Sequence, residues 1–226
     1  TIGMVAACYA LLPVLMALTF GRWVGVVGEG RFVIFGTLAL MASSTLLLLA
    51  HSIPLLILAA ALSGTAHLAC MVGGQTMVAL RAPSNAYEKY FGYYTFSASL
   101  GQMIGPIIAT IVAGTTGVLP RSTTAAFVAA LLFSGLALAP VLSWRNSLPT
   151  VVAAKNDGGT LRNAGKLLRN GKVFGAIYTS MAISSVGDIL VVFLPLFGKE
   201  KSFSSLSIGI IIAIRAGASM LSRLSL

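Results

Sequence analysis

Residues 54–80, PLLILAAALSGTAHLACMVGGQTMVAL, contain no Asp, Glu, Lys or Arg. An α-helix needs about 20 consecutive apolar residues to cross the hydrocarbon core of a bilayer, and this stretch exceeds that length. The rest of the chain has the same character, because 57% of its 226 residues are hydrophobic, 9% are charged and the mean hydropathy is +0.95. Soluble domains carry roughly 25% charged residues. The composition therefore predicts an all-α polytopic membrane protein.

The net charge of +10 is spread over the connections between apolar segments rather than gathered in one patch, so we do not interpret it as a nucleic-acid surface. The two cysteines, Cys8 and Cys70, lie inside apolar segments and lack the spacing of a disulfide framework or a metal site. The sequence has no His-Glu-x-x-His zinc motif, no Gly-x-Ser-x-Gly elbow and no Walker loop. We expect no enzyme activity, no cofactor, no metal and no nucleic-acid partner.

We interpret seven apolar segments as membrane spans. They are residues 5–20, 32–50, 54–80, 91–114, 124–143, 173–197 and 206–226. Lys and Arg are concentrated after the first, third and fifth segments, and the positive-inside rule assigns those connections to the cytoplasm. Most of the Trp and Tyr side chains fall at the same segment ends, as expected for the headgroup layer. The first segment then starts outside, so we expect one helix before it in a chain whose N-terminus is cytoplasmic.

The longest polar connection, residues 145–172, divides the chain into two predicted helical bundles. Residues 1–144 would form the first bundle without its first helix, and residues 173–226 would begin the second. Inside the connection, residues 160–169 have the pattern of a short basic amphipathic helix, with Thr160 as a candidate N-cap. Such a helix would lie on the anionic cytoplasmic leaflet. A solvated linker between the bundles is the alternative interpretation.

The fourth segment carries Gly92, Gly101 and Gly105-Pro106 in the pattern G-x8-G-x3-G-P. This pattern resembles motif C, which lies on the fifth helix of drug/proton antiporters in the major facilitator superfamily. Ala109-Thr110 stands where that family usually has two glycines. The resemblance places the fourth segment as helix five of the family fold.

Two features of this helix follow from its residues alone. Pro106 cannot donate to the carbonyl of Gln102, so we expect a bend there. Small residues also recur every four positions on one face and would let another helix approach closely. They are Ser97, Gly101, Gly105, Ala109 and Ala113. A kinked, closely packed helix suits a bundle that alternates between two states, but static tight packing explains the small residues equally well.

The first connection, GRWVGVVGEGR at residues 21–31, resembles a degraded motif A, the loop between helices two and three of the family. The matching residues are Gly21, Arg22, Gly28 and Arg31. The family's Asp and Arg fall on residues 25 and 26, which are Gly and Val here. The charge relay that motif A provides in the family is therefore not expected. This placement makes the first visible segment helix two.

The third segment contains Gly64, which resembles the glycine of motif B. The arginine that the family has four residues earlier is replaced by Ala60, so proton transfer through this helix is not supported. His67 and Gln75 on this segment, and Gln102 on the next, are candidates to line a transport cavity. A neutral histidine that is hydrogen-bonded to a neighbouring helix is an equally consistent interpretation of His67.

Asp188 in the sixth segment and Arg215 in the seventh are ionisable residues inside predicted spans. At 1.5 Å per residue, both lie roughly 13–16 Å below the outer surface. A charge at that depth costs about 2.5–3.5 kcal/mol or more unless it is paired or faces water. We therefore predict an Asp188–Arg215 ion pair, or two groups that face a central cavity. Asp188 would be a proton carrier in one interpretation, and half of a permanent structural bridge in the other.

The resemblance implies helices two to eight of a twelve-helix major facilitator-type carrier that works by alternating access. It implies a secondary active transporter, an antiporter that exports a small organic molecule in exchange for protons. A nutrient uniporter or symporter of the same fold and a non-transporting membrane scaffold stay open as alternatives. We expect a small-molecule substrate and protons as partners, a lipid bilayer as the surroundings and a monomer when the protein is full-length. The expected location is the bacterial inner (plasma) membrane, as a multi-pass protein.

Overall fold

The structure, a computed structural model, describes residues 2–114, 122–144, 169 and 171–224. These residues form helices and no strands. The helices are α1 (Ile2–Val27), α2 (Glu29–Leu48), α3 (Ile53–Arg81), α4 (Tyr87–Ala113), α5 (Thr123–Trp144), α6 (Gly171–Glu200) and α7 (Ser205–Leu224). Each predicted span coincides with one helix. Helices α1 to α6 are long and apolar enough to cross a membrane, while the apolar part of α7, Ser205–Leu221, is shorter.

The helices pack through small residues rather than through a large apolar core. Helix α3 lies against both α1 and α2, α2 also packs on α5, and α4 packs on α7. Gly36 on α2 leaves no room for a side chain, since a Cβ there would lie 2.8 Å from the sulfur of Cys70 on α3. Large side chains point outward instead, and Leu15 is 68% exposed. This inverted pattern is expected where lipid is the solvent and close backbone approach supplies the packing.

Where α1 meets α2, the predicted motif A loop is wrong as a loop. Helix α1 continues through Gly21 and Arg22 to Val27, and Arg31 already belongs to α2. Only Gly28 interrupts the helix, with φ of 93°, a left-handed conformation that favours glycine. The reason is that residues 23–27 are apolar and contain no helix breaker in place of the family's charged residues. The α1–α2 corner instead encloses a small core of Phe20, Val24, Phe32 and Ala69.

The predicted basic linker lies almost wholly outside the described residues. Residues 145–168 and 170 are not described, which includes most of the predicted amphipathic helix, and Gly171 and Lys172 are the first residues of α6. The connection at 115–121 is likewise outside the described part. The division into two bundles therefore stays a prediction.

Candidate functional site

A cavity of about 670 Å³ lies between α1, α2, α3 and α6, and Asp188 is on its wall. Its other lining residues are mostly apolar. They are Val5, Ala6, Tyr9, Ala10, Leu47, Leu56, Ala60, Ser63, Val191 and Val192. Small-molecule sites in proteins usually have volumes of about 300–1,000 Å³ and apolar walls with a few polar groups. A cavity of this size holds roughly 20 water molecules at the density of the liquid. The carboxylate of Asp188 can therefore stay hydrated inside the span.

Tyr9 is the aromatic polar residue of this cavity, and its charge environment includes Asp188. Pro13 lies four residues further along α1 and has no N–H to donate to the Tyr9 carbonyl. That carbonyl points at Gly64 of α3, where a Cβ would collide with its oxygen. The bare Cα of Gly64 can approach the oxygen as a weak Cα–H···O donor. The Pro13 kink and Gly64 together fix where Tyr9 enters the cavity.

Arg215 does not pair with Asp188 in this conformation. Both side chains are exposed, and the salt bridge found among the described residues joins two other groups, Arg81 and Glu29. The guanidinium of Arg215 lies instead over Gly187, where a Cβ would be 2.5 Å from its Nη1 atom. The direct ion pair that depth alone suggested is therefore not formed, although the two residues lie on neighbouring helices as expected. Asp188 fulfils the other half of the expectation, since it faces a cavity.

The three cavity candidates do not line the Asp188 cavity. His67 is exposed and shares a face of α3 with Ala60 and Ser63, since these residues are spaced i, i+3 and i+7. It therefore extends the polar stripe one turn beyond Ser63. Gln75 is half-buried on α3 and Gln102 is exposed on α4. Their role in a transport cavity stays a prediction.

The small-residue face of α4 borders a second, apolar cavity of about 570 Å³ between α4 and α5. Gly101 and Gly105 line it, and a Cβ at either position, or at Gly92, would meet nothing within 4 Å. The close helix approach expected on this face is therefore not made by the described residues. The motif C-like glycines open onto space between two helices.

The close contact of α4 is with α7, on a different face. A Cβ at Gly209 of α7 would lie 3.0 Å from the Oγ1 atom of Thr110 and 3.3 Å from the carbonyl oxygen of Pro106. Thr110 donates its hydroxyl hydrogen to that Pro106 carbonyl at 2.9 Å. Further along, Gly217 lies against the Met103 side chain. The proline turn of α4 thus packs on a glycine of the helix that follows the predicted linker.

Sequence analysis missed the ion pair between Arg81 and Glu29, whose Nη2 and Oε1 atoms lie 2.7 Å apart. A signal for it existed. Glu29 is one of only five acidic residues, and it precedes the second predicted span at the end where the third span finishes with Arg81. Two opposite charges at the same membrane face on adjacent spans could have been paired. The pair joins the first turn of α2 to the last turn of α3.

Comparison with known proteins agrees with this architecture. The family model described as Major Facilitator Superfamily matches residues 1–226. The chain is also similar to Multidrug resistance protein 1 of Bacillus subtilis (strain 168), with 28% identity over 126 residues, which is 56% of this chain and 32% of that protein. The match thus spans about a third of the relative's length. No solved structure matches at the same level of significance. The apolar helices and the match along the whole chain establish that this multi-pass membrane protein belongs to the Major Facilitator Superfamily, a family of transporters.

Proposed function

We propose that this chain is the central part of a secondary active transporter that works by alternating access and exports a small organic molecule in exchange for protons. The observation that carries the proposal is Asp188, a carboxylate on the wall of a cavity inside the span of α6. An ionisable residue at that depth is expensive unless it has a role in moving ions or substrate. The similarity to a protein named for multidrug resistance supports export.

The cavity offers the chemistry that such a cycle needs. A hydrated carboxylate can bind and release a proton, and the apolar walls around it can hold an organic molecule. Binding of the substrate and of the proton at one wall would make the two compete, which is the simplest basis for exchange. The contact of α4 with α7 supplies a place where the two predicted bundles meet and move against each other.

The test uses the full-length protein in liposomes with a pH-sensitive dye inside. A compound to which cells become sensitive when the gene is deleted serves as the substrate. Asp188→Asn is expected to abolish substrate-driven proton flux at unchanged expression, whereas Glu200→Gln, an exposed acidic residue at the end of the same helix, should leave it intact. Normal proton flux in Asp188→Asn would overturn the proposal.

A nutrient uniporter or symporter is the second candidate, and one observation favours it. The family's motif B arginine, which is linked to proton transfer, is replaced by Ala60, which lines the cavity here. Transport that survives a protonophore would favour uniport, and proton flux in the same direction as the substrate would favour symport. A protein that moves no substrate in vesicles would be a scaffold.

A further inference from the structure

Gly187 and Arg215 are in direct contact, one residue away from Asp188. Gly187 is buried, and the three heavy atoms nearest to an ideal Cβ at this position all belong to the Arg215 guanidinium. The nearest is Nη1 at 2.5 Å, and Cζ follows at 3.6 Å. A real Cβ could not occupy that place without moving the arginine. Glycine at residue 187 is therefore what allows the guanidinium to lie on the backbone of α6.

The guanidinium lies close to Asp188 without contacting it. Consecutive residues of a helix point about 100° apart, so Gly187 faces α7 while Asp188 faces the cavity. Their Cα atoms are nevertheless only about 3.8 Å apart. Arginine has a long, flexible stem, and rotation of that stem is enough to carry the charge from the Gly187 backbone to the Asp188 carboxylate. No helix has to move for the pair to form.

We propose that Gly187 is a positioning residue, which holds Arg215 off Asp188 while that carboxylate is protonated, and that Arg215 moves onto Asp188 when the proton leaves. The inference rests on the proposed function of Asp188 as proton carrier. An opposite charge within about 4–6 Å favours the ionised form of a carboxylate. The position of Arg215 therefore decides how readily Asp188 regains a proton.

The other polar groups that face Asp188 do not supply this control. Helix α1 contributes the Tyr9 hydroxyl, and α3 contributes Ser63, neither of which is a cation. Helix α2 contributes only Leu47. His67 lies one turn beyond Ser63 on the same face of α3 and is outside the cavity lining. Arg215 of α7 is the permanent positive charge beside this segment of α6.

The test compares Gly187→Ala with Gly175→Ala, which lies on the same helix and where a Cβ meets nothing within 4 Å. In the full-length protein, Gly187→Ala should push Arg215 toward Asp188 and shift the pH of half-maximal proton flux by about one unit to lower pH. Gly175→Ala should leave the profile unchanged. Arg215→Gln should shift it to higher pH, and Gly187→Ala should have no further effect in that background.

A second readout separates this inference from the proposed function, because it needs no transport. Carbodiimides react with protonated carboxyl groups, so the pH dependence of Asp188 modification, followed by mass spectrometry of its peptide, reports its protonation in the purified protein. The same shift in Gly187→Ala is expected there, even if Asp188→Asn were to retain coupled transport. Profiles that coincide for wild type, Gly175→Ala and Gly187→Ala would overturn the inference. So would a shift that persists in the Arg215→Gln background.

Discussion

The guanidinium of Arg81, at the end of α3, donates two hydrogen bonds to a single carboxylate oxygen of Glu29, at the start of α2. The Nη2–Oε1 distance is 2.7 Å and the Nε–Oε1 distance is 3.0 Å. Glu29 is only 3% exposed, while the Arg81 side chain is 34% exposed. Each charge also lies at the helix terminus that its sign favours, the acid at an N-terminus and the base at a C-terminus. The pair fastens two helix ends where the family's charged motif A residues are missing.

Loss of Arg81 should therefore cost more than loss of an ordinary surface charge. Removing one partner of a fully buried pair costs about 3–5 kcal/mol, and an exposed pair contributes about 0–1 kcal/mol. Because Arg81 is about one-third exposed, we expect Arg81→Ala to lower the free energy of unfolding by about 1–3 kcal/mol. Reversible unfolding of the purified protein in mixed micelles measures the change.

A double-mutant cycle separates this pair from other effects of the Arg81 side chain. In a Glu29→Gln background, no buried charge is left without a partner, so Arg81→Ala should cost clearly less than in the wild type. Arg22→Ala removes an exposed arginine near the same end of α1 and should change stability by less than about 0.5 kcal/mol. Equal effects of Arg81→Ala in both backgrounds would contradict an energetic role for the pair.

Gly64→Ala should be among the most harmful single substitutions in α3. A Cβ at residue 64 would collide with the Tyr9 carbonyl oxygen and lie 3.1 Å from the Cγ atom of Pro13. Backbone atoms cannot rotate away, so α1 and α3 would have to separate. Forcing extra volume into a packed contact costs about 1–3 kcal/mol, and we expect the upper end of that range. Thermal unfolding of the purified protein and transport by the full-length protein are the measurements.

The matched control for this substitution is Gly92→Ala on α4, where a Cβ meets nothing within 4 Å. It should be neutral or slightly stabilising, because alanine is the better helix former by about 1 kcal/mol. If both variants unfolded at the same temperature, the close approach of Gly64 to Tyr9 would not limit stability. Tyr9→Phe adds a further comparison, since it keeps the backbone contact and removes only the hydroxyl group.

The helices were predictable because their signal lies in composition and segment length. The segment 54–80 differs from α3 by one residue at each end, since the apolar run there is bounded by Ser52 and Arg81. The first segment was predicted as 5–20, but α1 extends to Val27. A hydropathy pattern marks the part of a helix that lies in lipid, whereas a helix ends where its backbone does, here at Gly28.

The candidate site was only half predictable, for a different reason. Depth along a helix follows from residue number, so Asp188 and Arg215 could be placed at one level. The direction in which each side chain points depends on helix rotation and on neighbours, and Gly187 decides it for Arg215. Likewise, the small-residue face of α4 was recognised from spacing, but its nearest partner α7 touches Pro106 and Thr110 instead. Pairwise helix packing is a long-range property that local pattern does not encode.

The contact between α4 and α7 should be sensitive to side-chain size at Gly209. Valine at this position would place branched carbons against Thr110 and the Pro106 carbonyl, which lie 3.0 Å and 3.3 Å from an ideal Cβ. We expect Gly209→Val to lower stability by about 1–3 kcal/mol and to slow transport, because the two helices can no longer approach. Ala218→Val, at an exposed position on the same helix, should have little effect on either. Transport assays and thermal unfolding of both variants decide the point.

The orientation predicted from the basic connections can be tested at the two ends of α3. Ser52 and Ser84 are both exposed and flank a helix of 29 residues, which is about 43 Å long. In a protein whose Cys8 and Cys70 are replaced by alanine, an impermeant maleimide added to intact cells should label Ser52→Cys. It should label Ser84→Cys only after the membrane is opened, because Arg81 and Lys89 beside it favour the cytoplasmic face. Labelling of Ser84→Cys in intact cells would reverse the orientation. It would also place Glu29 and Arg81 on the outer surface, since the ion pair holds both residues at the same end of the bundle.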